Sequence, residues 1–192
     1  MAETCKADVI TRRAWFFATY FVVLVVSVSG AVHIAPRLLW NSTASVPVGL
    51  YRLRTDSSLH VGDLAALHLP DRLALLLSQR GYLPLGVPLL KPVAALPGQA
   101  VCRTNRSITI DGKSVGDAMT SDHRGRPLPV WQGCRRLEHD EVFVMNEAEP
   151  HSLDGRYFGP LPASTVMGRA IPIWVTPPRT ATHHDEGPHP LQ

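Results

Sequence analysis

Lysine and cysteine are both scarce in this 192-residue chain. Lys6, Lys91 and Lys113 are its only lysines, and Cys5, Cys102 and Cys134 its only cysteines. Cysteines so spaced make neither a zinc pattern nor a dense disulfide framework. Charged residues amount to 18% and the formal net charge is +3. Arg and Lys stand singly or in pairs, without a basic stripe or interleaved aromatics, which argues against nucleic acid as a partner. No internal repeat is present, so a solenoid is excluded. Long apolar runs are also rare: there is one, which excludes a multi-span membrane protein. Turn formers are plentiful, with 17 Pro and 14 Gly. They point to a turn-rich, mainly β domain rather than a helix bundle. An apolar share of 45% excludes a disordered chain, and the length suits one core.

The one long apolar run is residues 14–35, without a single Asp, Glu, Lys or Arg. It is long enough to cross a hydrocarbon core about 30 Å thick. Lys6, Arg12 and Arg13 precede it. The positive-inside rule keeps the N-terminus in the cytoplasm and sends the rest outside. The alternative is a cleaved signal peptide, with Ser27, Ser29, Gly30 and Ala31 as small residues near a cleavage site. The run exceeds the length of an ordinary signal-peptide core, which favours an anchor. In either case the chain after residue 36 lies in an oxidising compartment. There Cys102 and Cys134 are free to pair, the alternative being two buried thiols, while Cys5 stays reduced.

Beyond the anchor, strands are expected at 49–53, 63–69, 89–96, 100–103, 107–110, 141–146 and 166–174. Asp111-Gly112 signals a hairpin between 107–110 and 113–115. One helix is expected, capped by Asp71 after Pro70, with Leu73, Leu76 and Leu77 on one face and Gly81 at its end. Residues 116–132 read as an exposed polar loop, and residues 177–192 as a disordered tail. His183, His184 and His189 in that tail read as scattered rather than metal-binding, so no metal is expected.

Three blocks carry chemistry. Lys91 sits in Leu-Pro-Leu-Gly-Val-Pro-Leu-Leu-Lys-Pro-Val-Ala-Ala-Leu-Pro-Gly. A lysine in such a run either snorkels to water or is desolvated into a neutral amine able to act as a general base. The second role requires a pKa lowered from about 10.4 to near neutrality. Ser45 lies in Ser-Val-Pro-Val-Gly-Leu-Tyr, where Pro47 and Gly49 constrain the backbone and expose the hydroxyl. The third block is His151-Ser152-Leu153-Asp154-Gly155-Arg156-Tyr157-Phe158-Gly159-Pro160. Asp154 and Arg156 read as an ion pair pinning a loop that lays Ser152 against the lysine.

An anchor, then this serine block, then a lysine strand ending in Leu-Pro-Gly, then Ser-x-Asp-x-Arg-Tyr-Phe-Gly: the order resembles the S26 signal peptidase family of Ser-Lys proteases. The forms of the first and last blocks are most similar to its TraF-type branch of conjugal-transfer peptidases that mature a pilin. The resemblance implies that Ser45 is the nucleophile and Lys91 the general base. It implies oxyanion-hole donors in the Thr43 hydroxyl and the Ser45 N–H, Ser152 as the group orienting the lysine, and Asp154 with Arg156 as support. It implies no cofactor. The sequence departs from the family at Met145-Asn146-Glu147, at Gly155 where a serine is common, at Pro92, and at Pro97-Gly98-Gln99.

The expectation is therefore a mainly β, antiparallel, signal-peptidase-like catalytic domain with one N-terminal transmembrane helix. Its divisions are a cytoplasmic segment 1–13, an anchor 14–35, a periplasmic peptidase domain 36–176 and a tail 177–192. The expected setting is the bacterial inner membrane, with the bilayer, a propilin or other exported preprotein as substrate, and other conjugation or secretion components as partners. Cleavage of the precursor is the expected reaction, with cyclisation by the substrate's own amine as a second outcome. A general type I signal peptidase and a non-catalytic membrane component of the secretion apparatus are the rival readings.

Overall fold

The computed structural model describes residues 4–31, 38–43, 45–55 and 58–176. The expected tail, 177–192, and the end of the expected span, 32–35, lie outside the described residues. The chain divides into two units, Met1–Pro36 and Arg37–Gln192.

The first unit contains helix α1 (Thr4–Ala31), which starts well before the apolar run instead of at its edge. The window Arg12–Ser29 has a mean hydropathy of 1.3, and none of it is buried by protein. Trp15, Phe16, Tyr20, Val23 and Val26 are all exposed, so the helix is apolar on every side. Such a helix is stable where the solvent is itself apolar. Its hydroxyls need no water: Thr19 Oγ1 donates to Trp15 O at 2.8 Å and Ser29 Oγ to Val25 O at 2.7 Å.

The second unit holds β1 (Leu38–Asn41), β2 (Gly49–Arg54), β3 (Leu64–Leu67), helix α2 (Asp71–Gln79), β4 (Leu89–Ala95), β5 (Ala100–Thr104), β6 (Ser107–Ile110) and β7 (Lys113–Asp117). There follow β8 (Gly133–Arg136), β9 (Glu141–Val144), the single turn α3 (Gly155–Phe158), β10 (Leu161–Pro162) and β11 (Val166–Val175). Seven strands form one sheet in the order β1-β2-β11-β3-β4-β9-β10, and four form another in the order β7-β6-β5-β8. Every pairing is antiparallel. The domain is mainly β, as its turn-rich composition implied, and antiparallel, as the family resemblance implied.

Local sequence explains most elements. Asp111 and Gly112 turn the β6–β7 hairpin with φ of 49° and 80°, the left-handed pair that a two-residue turn requires. Helix α2 places Leu77 in the core with Leu73 and Ala74 beside it. Its cap is Pro70, whose carbonyl accepts from Leu73 N and Ala74 N, and no side chain caps it. Asp71 is therefore a first-turn residue and not the cap; its charge still suits the positive end of the helix. Gly81, with φ of 73°, follows the helix end.

Three strands lie outside the expected ones: β1, β8 and the two-residue β10, which pairs with β9. β8 is exposed throughout and is held by its pairing with β5, where Cys102 faces Cys134 and the two form a disulfide. β1 is made by its pairing with β2. The region 116–132 is also not the exposed loop expected. Its start belongs to β7, and Ala118 and Leu128 are buried against Tyr157. Isolated apolar residues in a polar stretch lack the periodicity that signals burial.

One core cluster under α2 joins Leu77 and Leu83 to Leu67, Leu89, Val93 and Val144 of the large sheet. A second, with Val101, Ile108, Phe143 and Met145, lies between the two sheets. A third, with Val46, Tyr51, Ala66 and Leu90, covers the opposite face of the large sheet near the start of β2.

Candidate active site

The serine-bearing loop is organised by Asn41 at the end of β1. This buried side chain donates from Nδ2 to the carbonyls of Thr43 (2.9 Å), Val46 (3.1 Å) and Pro47 (3.1 Å). Its Oδ1 accepts from Thr43 N at 3.1 Å and from Thr43 Oγ1 at 2.8 Å. One amide thus folds the chain between β1 and β2 into a compact turn, and Tyr51 donates to Pro47 O at 2.6 Å to close it. Thr43 Oγ1 lies 3.4 Å from Ser45 Oγ. The Thr43 proton is committed to Asn41, so the hydroxyl reaches another acceptor only by rotating.

Lys91 comes from β4, opposite Ala65 of β3. Every residue of β4 except Pro92 is buried, which accounts for the apolar run around the lysine. Side chains alternate across a strand, so Lys91 shares a face with Leu89 and Val93. It is only 2% exposed, and its Nζ donates to Ser152 Oγ at 2.8 Å. Burial lowers its pKa from 10.5 to about 8; Asp154 and Glu149 pull upward and Arg156 pushes further down. A substantial fraction is the neutral amine near pH 8.

Ser152 is held by a buried ion pair. Arg156 reaches Asp154 through Nε at 2.9 Å and Nη2 at 2.8 Å, with both side chains out of water. Arg156 also donates to the carbonyls of Asn146, Glu149, Pro150 and Ser152. Asp154 accepts from Asn146 N at 3.0 Å and from Arg156 N at 3.2 Å, which caps α3. The pair therefore satisfies a whole turn of backbone, as a buried ion pair requires. Gly155 sits in this turn for a steric reason: a Cβ there would come within 2.6 Å of Phe143 Cε2 and 2.7 Å of Val144 O.

Thr43, Ser45, Lys91 and Ser152 line one cleft of about 410 Å³. Leu77, Leu83, Leu89 and Leu128 supply apolar wall. The 116–132 region forms part of the rim through Met119, Ser121, Asp122 and His123. It is clipped in place at Asp122, which accepts from Tyr82 Oη, from Arg126 Nε at 2.7 Å and from Arg124 N at 2.8 Å. Desolvation would raise the Asp122 carboxyl, but the bonds from Tyr82 and Arg126 hold it well below its usual range. A hydroxyl, a buried amine and an apolar cleft suit attack on a peptide carbonyl, the amine taking the hydroxyl proton.

A family model described as signal peptidase, peptidase S26, matches residues 11–175. The chain belongs to the S26 signal peptidase family. A conjugal transfer protein TraF of Agrobacterium tumefaciens (strain 15955) is 33% identical over 175 residues, 87% of this chain and 98% of the relative. A plasmid transfer protein TraF of Escherichia coli is 31% identical, covering 69% of this chain and 80% of the relative. A probable signal peptidase I-1 of Synechocystis sp. (strain ATCC 27184 / PCC 6803 / Kazusa) is 32% identical, covering 58% and 52%. This S26 chain is thus of the serine peptidase kind.

Three residues of the S26 domain were not foreseen as part of the site. Asn41 orders the serine loop, and Asn146 donates from Nδ2 to Ser45 O at 2.6 Å. Arg103 of β5, buried, donates to the carbonyls of Arg156, Asn105 (3.1 Å) and Pro129 (3.5 Å), tying the small sheet to the Asp154–Arg156 turn. Their signal in the sequence is weak, because Asn and Arg in turns are ordinarily solvated.

Proposed function

We propose that this protein is a membrane-anchored Ser-Lys peptidase that matures a pilin precursor or another exported preprotein in a conjugation or type IV secretion system. The observation that carries the reading is the cleft, which gathers Thr43, Ser45, Ser152 and a buried Lys91 amine. The TraF relatives support the conjugation setting.

In this reading neutral Lys91 accepts the Ser45 proton as Oγ attacks the scissile carbonyl. The Ser45 N–H stabilises the oxyanion, joined by the Thr43 hydroxyl once it rotates away from Asn41. Protonated Lys91 gives its proton to the leaving amine. Water, or the substrate's own N-terminal amine, then resolves the ester to a cut or a cyclic product. Ser152 keeps the Lys91 amine aimed, and the Asp154–Arg156 pair keeps Ser152 in place.

We place the N-terminus in the cytoplasm of a bacterial cell and the catalytic domain in the periplasm, with α1 as an inner-membrane anchor. The basic residues before the apolar run support this orientation. Stacked Trp40 and Trp174 support a membrane-facing domain surface: their centroids are 5.9 Å apart, and both are exposed beside exposed Leu38 and Ile173. Aromatic clusters of this kind suit the headgroup layer.

Co-expression with a candidate propilin, followed by mass spectrometry of the product, tests the reading. The intact chain gives a shortened or cyclic product and Ser45→Ala gives none. Unprocessed precursor with the intact chain would point to the non-catalytic reading, and processing by the Ser45→Ala chain would move the nucleophile elsewhere.

A further inference from the structure

Asn146 stands in a block where the sequence departs from its family, yet it makes contacts in two directions. Its side-chain Nδ2 donates to Ser45 O at 2.6 Å, across 101 residues of chain. Its backbone N donates to Asp154 Oδ2 at 3.0 Å, and its backbone O accepts from Arg156 Nη2 at 3.1 Å. The orientation of the amide is fixed by its other end, since Oδ1 accepts from Ala148 N at 3.1 Å. Only Nδ2 then faces Ser45, and a carbonyl there can pair with a donor alone.

The remaining hydrogen bonds of the serine loop are local or run to the last strand. Asn41 and Tyr51 bond within the β1–β2 unit, and Thr176 donates to Val48 O. Among the described residues, the Asn146 amide is the one hydrogen bond joining this loop to the turn that carries Ser152, Asp154 and Arg156. We infer that Asn146 is a positioning residue, which fixes the main chain of Ser45 against the turn that aims Lys91. The inference rests on the Ser-Lys reading. It concerns how the nucleophile is held, and Asn146 touches neither the hydroxyl nor the amine.

The mechanism of the effect is alignment. Without this bond the loop keeps its own shape through Asn41 but loses its fixed register to the Ser152 turn. A displacement of about 1 Å between reacting groups costs on the order of 100-fold in rate. Asn146→Asp is the sharper variant, since it keeps the shape and both backbone bonds while replacing the donor with an oxygen that repels Ser45 O.

The test uses the full-length chain in detergent micelles and p-nitrophenyl acetate, an activated ester that requires no peptide recognition. Burst-phase acylation is followed in the parent, Ser45→Ala, Asn146→Ala and Asn146→Asp chains, with thermal melts of each. The expected result is no burst in Ser45→Ala and a burst rate about 100-fold lower in both Asn146 variants. The ester concentration for half-saturation should stay within about threefold, and melting temperatures should stay close to the parent. The pH midpoint of acylation in Asn146→Ala should match the parent, because the amide acts on Ser45 and not on Lys91. Parent-like burst rates in the two Asn146 variants overturn the inference while leaving the Ser-Lys reading intact. So does a rate loss that only tracks lost folding, or one accompanied in Asn146→Ala by a moved pH midpoint. A full burst in Ser45→Ala overturns the Ser-Lys reading, and the inference with it.

Discussion

Lys91 donates its Nζ to Ser152 Oγ at 2.8 Å, and each of the two residues is only 2% exposed. A buried amine with a hydroxyl partner is pinned in direction as well as shifted in proton affinity, and several measurable consequences come from that one contact.

Processing should rise with pH through a single ionisation near 8, the value to which burial lowers the lysine. The sign follows from the role: the base is the neutral amine, which predominates above its pKa. Single-turnover rates from pH 6 to 10 check this, and a flat profile with chemistry limiting would contradict it. Ser152→Ala should move the midpoint lower, since the ammonium loses an acceptor that favoured it. The plateau should fall about 100-fold as the amine loses its aim.

Lys91→Arg should be as inactive as Lys91→Ala and Ser45→Ala. A guanidinium stays protonated and is no base. Losses of about four orders of magnitude or more are expected by single-turnover assay. Ser42→Ala, on an exposed neighbour, should stay near the parent rate.

The same burial costs stability. The folded chain binds the Lys91 proton with a pKa of about 8, against 10.5 ordinarily. Between those values the unfolded chain binds more protons, so stability rises with pH across that window. Below pH 8 the buried ammonium costs about 3 kcal/mol. Lys91→Met, made in a Ser45→Ala chain, should therefore melt higher than Ser45→Ala alone at pH 6. That advantage should shrink as pH climbs from 8 towards 10.5.

The Cys102–Cys134 pair encloses a sequence separation of 32 residues that includes the cleft-rim segment. Protein taken from the periplasm should resist alkylation at both thiols until reduced. Replacing both cysteines with serine should cost about 4 kcal/mol by the loop-closure model. Labelling of both without reductant under denaturing conditions would show that the bond does not form.

How much of this was legible before the fold was known depends on the residue. Lys91 drew attention because one charge in an apolar strand is costly, and the strand around it is indeed buried. The mainly β character could be read from short apolar runs between turn residues, while the antiparallel arrangement came from the family resemblance. Ser45 depended on its order relative to the other two blocks, since Ser-x-Pro-x-Gly alone is common. Asn41, Arg103 and Asn146 were illegible for a plain reason: their partners are backbone carbonyls, which leave no mark in the sequence. β8 was missed because pairing with β5, and not its own pattern, makes it a strand. The rim segment reads as an exposed loop because its tether, Asp122 to Tyr82 and Arg126, spans 40 residues on one side and four on the other.

The place of β11 in the large sheet has a bearing on timing. This strand, the last among the described residues, lies between β2 and β3 and pairs with both. The hairpin that presents Ser45 and the strands that present Lys91 share a sheet only through it. A chain synthesised only as far as Thr165 holds every residue of the proposed centre, yet no strand ladder joins β1–β2 to β3–β4. Completion of the large sheet thus waits for β11, and a chain truncated before it lacks the continuous sheet on which Ser45 and Lys91 are displayed together.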